Sequence, residues 1–268
     1  MKKMKITAII VTYDRPDALE SILLSLTGQC VKPDEVIIAD DGSGPDTEAL
    51  IRSFINTVPF ELKHIRQEKE GFRAAAIRNK AILQSTGDYL VFSDGDLVFH
   101  PSFIYDFKQR MAHGTACIGS RVFLTAGASE KIMRERCNEV KIPFWSQEIE
   151  TNRLNGIRCP LASRLYPPVL YSGKLRGGLL GVSKSDLVSV NGWNESFRGW
   201  GLEDTELVLR LFNRGICLRK LKFSAISYHL WHPTASRELL GENRRLLQNC
   251  LEKRLTWCSN GLVKGERP

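Results

Sequence analysis

Residues 87–96 read Gly-Asp-Tyr-Leu-Val-Phe-Ser-Asp-Gly-Asp. The run from Tyr89 to Ser93 is apolar and aromatic enough for a buried strand, and it leads straight into Asp94-Gly95-Asp96. In open α/β sheets, ligands bind in the crevice at the carboxyl ends of the strands. Two carboxylates one residue apart on a rigid strand end can share a divalent cation, Mn2+ or Mg2+, or divide their work between cation and ribose. The same residues also suit a plain turn, because Asp and Gly favour turns for backbone reasons.

Upstream, strand and helix patterns alternate. Ile6 to Thr12 is a β-branched run, and Pro16 then opens a helix carrying Leu19, Ile22, Leu23 and Leu26 at helical spacing up to Gly28. Glu35 to Ala39 is a second strand that enters Asp40-Asp41-Gly42-Ser43. Leu50, Ile51, Phe54 and Ile55 mark a second helix, Phe60 to Arg66 a third strand, and Ala74 to Ser85 a third helix closed by Gly87. This alternation predicts an α/β fold with a mostly parallel central sheet flanked by helices.

Downstream the pattern loosens. Residues 101–113 read as a helix and 116–124 as a strand. From Ala126 to Pro168 the periodicity fades among Pro143, Pro160, Pro167 and Pro168, as expected of a variable insertion or acceptor loop. Order returns at Gly177 to Ser183, with a short helix from Lys184. Glu203 to Arg214 is a helix with Leu207, Leu211 and Phe212 inward and Gly215 as its stop. Leu218 to Ile226 reads as a strand, and Ser236 to Trp257 as a final amphipathic helix with many Arg and Lys residues.

The totals bound the class. With 268 residues, 43% hydrophobic, the chain can bury a substantial core. Its formal net charge of +8 attracts anions: nucleic acid, nucleotide phosphates or an acidic membrane face. Seven cysteines, with no Cys-x-x-Cys pair, fit a reducing cytoplasm better than a disulfide framework. No run approaches the ~18 apolar residues of a membrane helix. No Gly-x-Gly-x-x-Gly follows a strand, which disfavours a dinucleotide-binding oxidoreductase. No aromatic-rich basic motif points to nucleic acid.

Three further groups can carry chemistry. A carboxylate at Asp41 could accept the N–H of a base, or cap a turn. Trp200-Gly201-Leu202-Glu203-Asp204 precedes a helix. Its acids either favour the helix dipole or supply a general base, Asp204, while Trp200 offers a flat face to a sugar ring or a core. His229 and His232 follow a strand, and His is a common metal ligand; without a cysteine pair, zinc is disfavoured.

The ordered set changes the reading. An apolar strand ending in Thr12-Tyr13, then Asp-Asp-Gly-Ser, Gly71-Phe72-Arg73 with Arg78-Asn79, Gly-Asp-Tyr and Asp-Gly-Asp, resembles family 2 glycosyltransferases of the GT-A fold. The segment from Asn191 to Asp204 is similar to the acceptor and base segment of that family, in the branch of bacterial chondroitin polymerase and the β-1,4-galactosyltransferases. The resemblance implies one GT-A domain over 1–268, with a nucleotide-sugar half at 1–100, an acceptor and catalytic half at 101–233, and a basic C-terminal helix at 234–268.

It also implies roles. Thr12, Tyr13, Arg15, Asp41, Arg73, Asn79 and Asp94 meet the nucleotide. Asp96 and His229 hold Mn2+ or Mg2+. Asp204 is the catalytic base, with Glu203 and Trp200 at the sugars. The implied activity is inverting transfer of a hexose or N-acetylhexosamine from a UDP-sugar to a saccharide or lipid-linked oligosaccharide, for lipopolysaccharide, capsule or other surface polysaccharide. It is expected in the cytoplasm, with peripheral contact to an anionic inner membrane and no nucleic-acid partner. Two departures leave the donor sugar open: Arg176-Gly177-Gly178-Leu179 replaces the family's Gly-Gly-Asn or Gly-Cys-Asn, and Asn194 stands where Asp is usual. The rivals are a nucleotidyltransferase acting on sugar phosphates and a non-catalytic nucleotide- or nucleic-acid-binding protein. The first would carry a Gly-rich loop with a Lys or Arg where Thr12-Tyr13-Asp14-Arg15-Pro16 stands.

Overall fold

The computed structural model describes residues 4–169, 178–233 and 237–266. The first part alternates β1 (Ile6–Thr12), α1 (Pro16–Thr27), β2 (Glu35–Asp40), α2 (Pro45–Phe54), β3 (Glu61–Arg66), α3 (Ala74–Gln84) and β4 (Tyr89–Asp94). Then follow β5 (Leu97–Phe99), α4 (Phe103–Lys108), β6 (Thr115–Ile118), β7 (Ser120–Leu124), α5 (Ala126–Glu135), β8 (Ile149–Thr151), a 3-10 turn (Arg153–Gly156) and α6 (Pro160–Leu165). The last part holds β9 (Leu179–Ser183), α7 (Lys184–Ser189), α8 (Glu203–Asn213), β10 (Cys217–Lys220), β11 (Ile226–His229) and α9 (Leu240–Glu252).

Two sheets result. The larger has the order β10-β6-β9-β4-β1-β2-β3, and every pairing in it is parallel except those of β9. The smaller has the order β5-β11-β7-β8. Side chains alternate across β1, so Ile6, Ala8 and Ile10 join a core with α1, while Ile9 joins a second core with residues of α3, α7 and α8. Strand β1 is buried on both faces for this reason, and the β-branched run that defines it has no polar face.

Several expectations are corrected. The helix expected over 101–113 is only Phe103–Lys108; the chain then turns into β6, with Asp186 accepting from the Gly114 N–H at 2.8 Å. The strand expected over 116–124 is two strands in different sheets, broken at Gly119. The segment 126–168 is not one loop: Thr125 caps α5 by accepting from the Ala128 N–H, and β8, the 3-10 turn and α6 follow. Its periodicity is weak because α5 buries only Ala128 and Ser129.

The strand expected over 218–226 is likewise split into β10 and β11 by a turn in which Phe223 and Ala225 take positive φ. Ile55, expected on the second helix, follows α2 as its exposed C-cap. Of the expected regular run from 177, Gly177 lies outside the described residues, as does Arg176. Ser236, the expected start of the last helix, also lies outside them, and the helix runs only over Leu240–Glu252. There Glu242 and Glu252 offset Arg244 and Arg245, so the helix expected to be basic carries no net charge.

One buried acid ties the first strands together. Glu35 Oε2 accepts from Thr7 Oγ1 at 2.5 Å and from the Thr86 N–H at 2.9 Å, and Oε1 accepts from Lys63 Nζ at 2.5 Å. Burial pushes this carboxyl up, but the hydrogen bonds from Lys63, Thr7 and Thr86 outweigh it and hold it below the ordinary 4.5. A depressed acid stabilises the fold above its unfolded-state pKa and loses that contribution as pH falls through its folded-state value. Glu35→Gln is therefore expected to lower unfolding stability by about 2–4 kcal/mol at pH 7. Urea titrations should show the gap to wild type narrowing as pH drops below 4.5.

Candidate active site

The carboxyl ends of β1, β2 and β4 open on one side of the larger sheet, and the chain reverses there from β4 into β5. Gly95 makes the reversal possible, because a Cβ at this position would stand 2.3 Å from the Val11 carbonyl oxygen. Asp94 and Asp96 are thereby held on either side of a backbone that lies against β1.

Asp96 meets the end of the smaller sheet. Its Oδ2 lies 3.4 Å from His229 Nε2 and 3.0 Å from His232 Nε2, and its backbone carbonyl accepts from the Leu230 N–H at 2.8 Å. The three potential ligand atoms lie within 4.8 Å of one another. Phe123 packs on the His229 ring with centroids 4.6 Å apart. Burial pushes the His229 imidazole below its ordinary value, whereas the hydrogen bond to Asp96 pulls His232 up. Burial would raise Asp96, but His232, His229 and Arg121 together hold it down.

Asp96 Oδ1 is buried with no hydrogen-bond partner, an arrangement that costs free energy unless something else occupies that lone pair. One carboxylate and two imidazoles fit a first-row transition cation such as Mn2+ better than Mg2+, which prefers oxygen ligands.

Beside this triad, a buried guanidinium gathers three acids. Arg78, 3% exposed on α3, lies 2.9 Å from Asp94 Oδ1, 3.3 Å from Glu203 Oε1 and 3.6 Å from Asp204 Oδ1. It stands over the Trp193 ring at 5.5 Å, and Trp193 Nε1 donates to Asp204 Oδ1 at 3.2 Å. Arg121, on β7, lies 3.2 Å from Asp94 Oδ2. Burial, reinforced by Asp204 and Asp96, pushes Asp94 up to about 6 against the pull of Arg121 and Arg78. Burial and the Asp204 charge push Glu203 up to about 7 against Arg78. Gly178 covers this group: a Cβ there would stand 2.6 Å from Asp94 Oδ2, 2.8 Å from Arg121 Nη2 and 3.2 Å from Asp204 Oδ2.

The remaining expected residues do not form one group. Asp41 is buried, accepts from Gln67 Nε2 at 2.5 Å and from the Arg73 N–H at 2.7 Å, and donates its own N–H to Thr12 O. Thr12 Oγ1 is buried without a partner. Tyr13 is exposed beneath Lys69. The Arg73 guanidinium turns to Glu70 and the Glu68 carbonyl instead of toward Asp94. Arg15 lies near enough to the histidines for its charge to lower both. Asn79 spends its amide on the loop that carries Trp193: its Oδ1 accepts from the Trp193 N–H, and its Nδ2 donates to Trp193 O and Glu195 Oε1. Asn79 thus holds that loop. Trp200 is exposed under Arg237.

Four contributors were given no role in the site from sequence. Arg78 carried a signal, since an Arg inside the apolar helix Ala74–Gln84 must find a buried partner. His232 was visible beside His229 but was not assigned as a ligand. Arg121 and Trp193 gave no local sign.

The architecture is the GT-A fold. Among solved structures similar to it are GalNAc-T7 with UDP, GalNAc and Mn2+ (TM-score 0.66, 14% identity, 92% of this chain and 48% of that one) and a mannosyltransferase from Pyrobaculum calidifontis with GDP-Man and Mn2+ (TM-score 0.63, 17% identity, 100% and 67%). Residues 7–162 match glycosyl transferase family 2, and residues 161–233 match the N-terminal domain of galactosyltransferase. The chain belongs to glycosyl transferase family 2. Chondroitin synthase of Escherichia coli is 26% identical over 256 residues, which cover 87% of this chain and 36% of that protein. The chain thus spans about a third of the length of that relative.

Two outcomes follow from the Arg78 cluster. Arg78→Met leaves buried carboxylates uncompensated and is expected to cost about 3–5 kcal/mol, read by chemical denaturation. Glu203 behaves oppositely to Glu35, since a raised acid destabilises the fold as pH rises from its unfolded toward its folded value. Glu203→Gln should raise the melting temperature at pH 8 and change it little at pH 5, where wild-type Glu203 already holds its proton. A drop at pH 8 would mean that the charge of Glu203 stabilises the fold.

Proposed function

We propose that this chain transfers a hexose or N-acetylhexosamine from a UDP-sugar to a hydroxyl of a saccharide acceptor, with inversion at the anomeric carbon. The observation that carries this reading is the contiguity of two groups, the Arg78–Asp94–Asp204 ion-pair cluster and the Asp96–His229–His232 triad. One group offers a base and the other a cation site.

In this mechanism Asp96, His229 and His232 would hold Mn2+, which would supply positive charge against the diphosphate leaving group. Asp41, Thr12, Tyr13 and Arg73 form the nucleoside end, and Arg15 adds positive charge at the diphosphate. Asp94, held by Arg78 and Arg121, faces the ribose. Trp193 fixes Asp204 Oδ1, leaving Oδ2 to take the acceptor proton. As the acceptor oxygen bonds to the anomeric carbon, the bond to the diphosphate breaks and UDP departs. Glu203 and Trp200 border the sugars. The likeness to chondroitin synthase of Escherichia coli supports a role in polysaccharide synthesis, and within it we place a bacterial surface polysaccharide, lipopolysaccharide or capsule, on a saccharide or lipid-linked acceptor. GalNAc-T7 with UDP supports the UDP donor, while the mannosyltransferase with GDP-Man marks GDP-sugars as the comparison to run.

Asp204→Asn is expected to lower UDP release from donor plus acceptor by ~10²–10⁴-fold while calorimetry shows UDP binding retained. Loss of UDP binding in that variant would assign Asp204 to the donor site instead. His232→Ala should weaken Mn2+ binding about 10–100-fold, measured by electron paramagnetic resonance of free Mn2+. Mg2+ should restore less activity than Mn2+ after EDTA treatment; equal rescue would argue against a histidine-rich cation site.

A further inference from the structure

Away from the cleft, exposed apolar side chains stand on neighbouring segments. On α6, Leu161 is 70% exposed and Leu165, one turn later, is 79% exposed. Leu154 on the 3-10 turn is 63% exposed, and Trp145 is 71% exposed. Hydrogen bonds join their segments: Arg153 Nη1 donates to the Phe144 carbonyl at 2.9 Å, Lys222 Nζ to Asn155 Oδ1 at 2.7 Å, and the Cys159 N–H to the Phe223 carbonyl at 2.9 Å. Ser163 and Ser224 share a hydroxyl bond of 2.7 Å. Large side chains this exposed, on segments that hydrogen bonds hold together, mark an interaction surface.

The charge around this face is cationic. Among the described residues Arg110, Arg164, Arg219 and Lys220 form no ion pair. Of the nearby acids, Asp106 is paired with Arg158 and Glu148 with Lys131, which leaves Glu150. A cavity of about 280 Å³ between α4 and α6 is lined by Tyr105, Gln109, Arg110, Leu161 and Arg164 among others. Arg110 lines this cavity, and its Nη2 is buried without a hydrogen-bond partner.

We infer that this face seats the protein on an anionic phospholipid bilayer, with Leu161 and Leu165 entering the acyl boundary and a lipid phosphate reaching Arg110 and Arg164. Apolar side chains ringed by cations are the chemistry of in-plane membrane contact. Helix α9, expected to be basic, carries no net charge. The inference goes beyond the proposed reaction and does not require it, since its readout is partitioning and not transfer.

The test is flotation of the full chain with vesicles of phosphatidylcholine mixed with phosphatidylglycerol, against phosphatidylcholine alone. Wild type should float with the mixed vesicles only, and less as salt rises. The double variant Leu161→Glu/Leu165→Glu should lose about tenfold or more in partitioning. Arg164→Gln should lose about fivefold, on the mixed vesicles. Each variant should bind UDP as wild type does, which separates lost docking from lost folding. The inference is overturned if wild type ignores both vesicles, or if the leucine variant floats unchanged. Equal loss from Arg244→Gln/Arg245→Gln would move the contact to α9 and overturn it too. So would light scattering that shows a wild-type dimer, split by the leucine variant, that floats with neither vesicle.

Discussion

A guanidinium taken out of water must be matched by charge and hydrogen bonds, and Arg78 satisfies that requirement with acids from two distant parts of the chain. Asp94 comes from the end of β4, and Glu203 and Asp204 from the first turn of α8, over a hundred residues later. The geometry of the cleft depends on this closure. Counted as ionised, Asp94, Asp96, Glu203 and Asp204 carry four negative charges against two positive ones on Arg78 and Arg121, so the cleft is net −2 within a chain of +8. Burial, and after it that imbalance, raises Asp94 and Glu203. The imbalance also makes the bare cleft a poor host for a diphosphate and a good one for a divalent cation, so an anionic donor and a cation suit this site together better than either alone.

The topology makes the closure possible. Strand β9 enters the parallel sheet antiparallel between β4 and β6, with Leu179 opposite Ser93. Its start therefore lies at the same end as Asp94, which brings Gly178 against both carboxylates. A further ion pair is buried in α8: Glu206 and Arg210, i and i+4, meet at 2.8 Å while Arg210 Nη2 donates to the Gly192 carbonyl. This fixes the 190–193 turn, and with it Trp193, the donor to Asp204.

What could be read from sequence was local. The strands and helices from Ile6 to Asp94 were legible because apolar period, Pro16 at a helix start and Gly28 at a helix end all lie within a few residues. Asp94, Asp96, Glu203 and Asp204 stood out as acids at element ends. Sheet switching was not legible: at Gly119 and again over 221–225 the β-type residues continue while the hydrogen-bond partners change. Nor was the purpose of Asn79, since its partners lie more than a hundred residues away. The basic character of the last helix was overestimated because the residues counted as one helix include Lys253 and Arg254, which follow α9.

Glu203 and Asp204 show why geometry ranks before acidity in choosing a base. Glu203, pushed up to about 7, has the value a general base ideally needs at neutral pH. Yet it is buried, and its Oε1 faces Arg78. Asp204 is the less buried neighbour, and its Oδ2 points to the same small volume under Gly178 that Asp94 Oδ2 and Arg121 Nη2 border. A hydroxyl brought into that volume would meet Asp204 Oδ2, whereas no oxygen of Glu203 is among the atoms nearest to it. A proton on Glu203 removes one negative charge beside Arg78 and leaves the guanidinium to Asp94 and Asp204. In the proposed reaction the two adjacent acids therefore divide the work, with Asp204 as the base and Glu203 as a buried partner of the guanidinium that holds the cluster together.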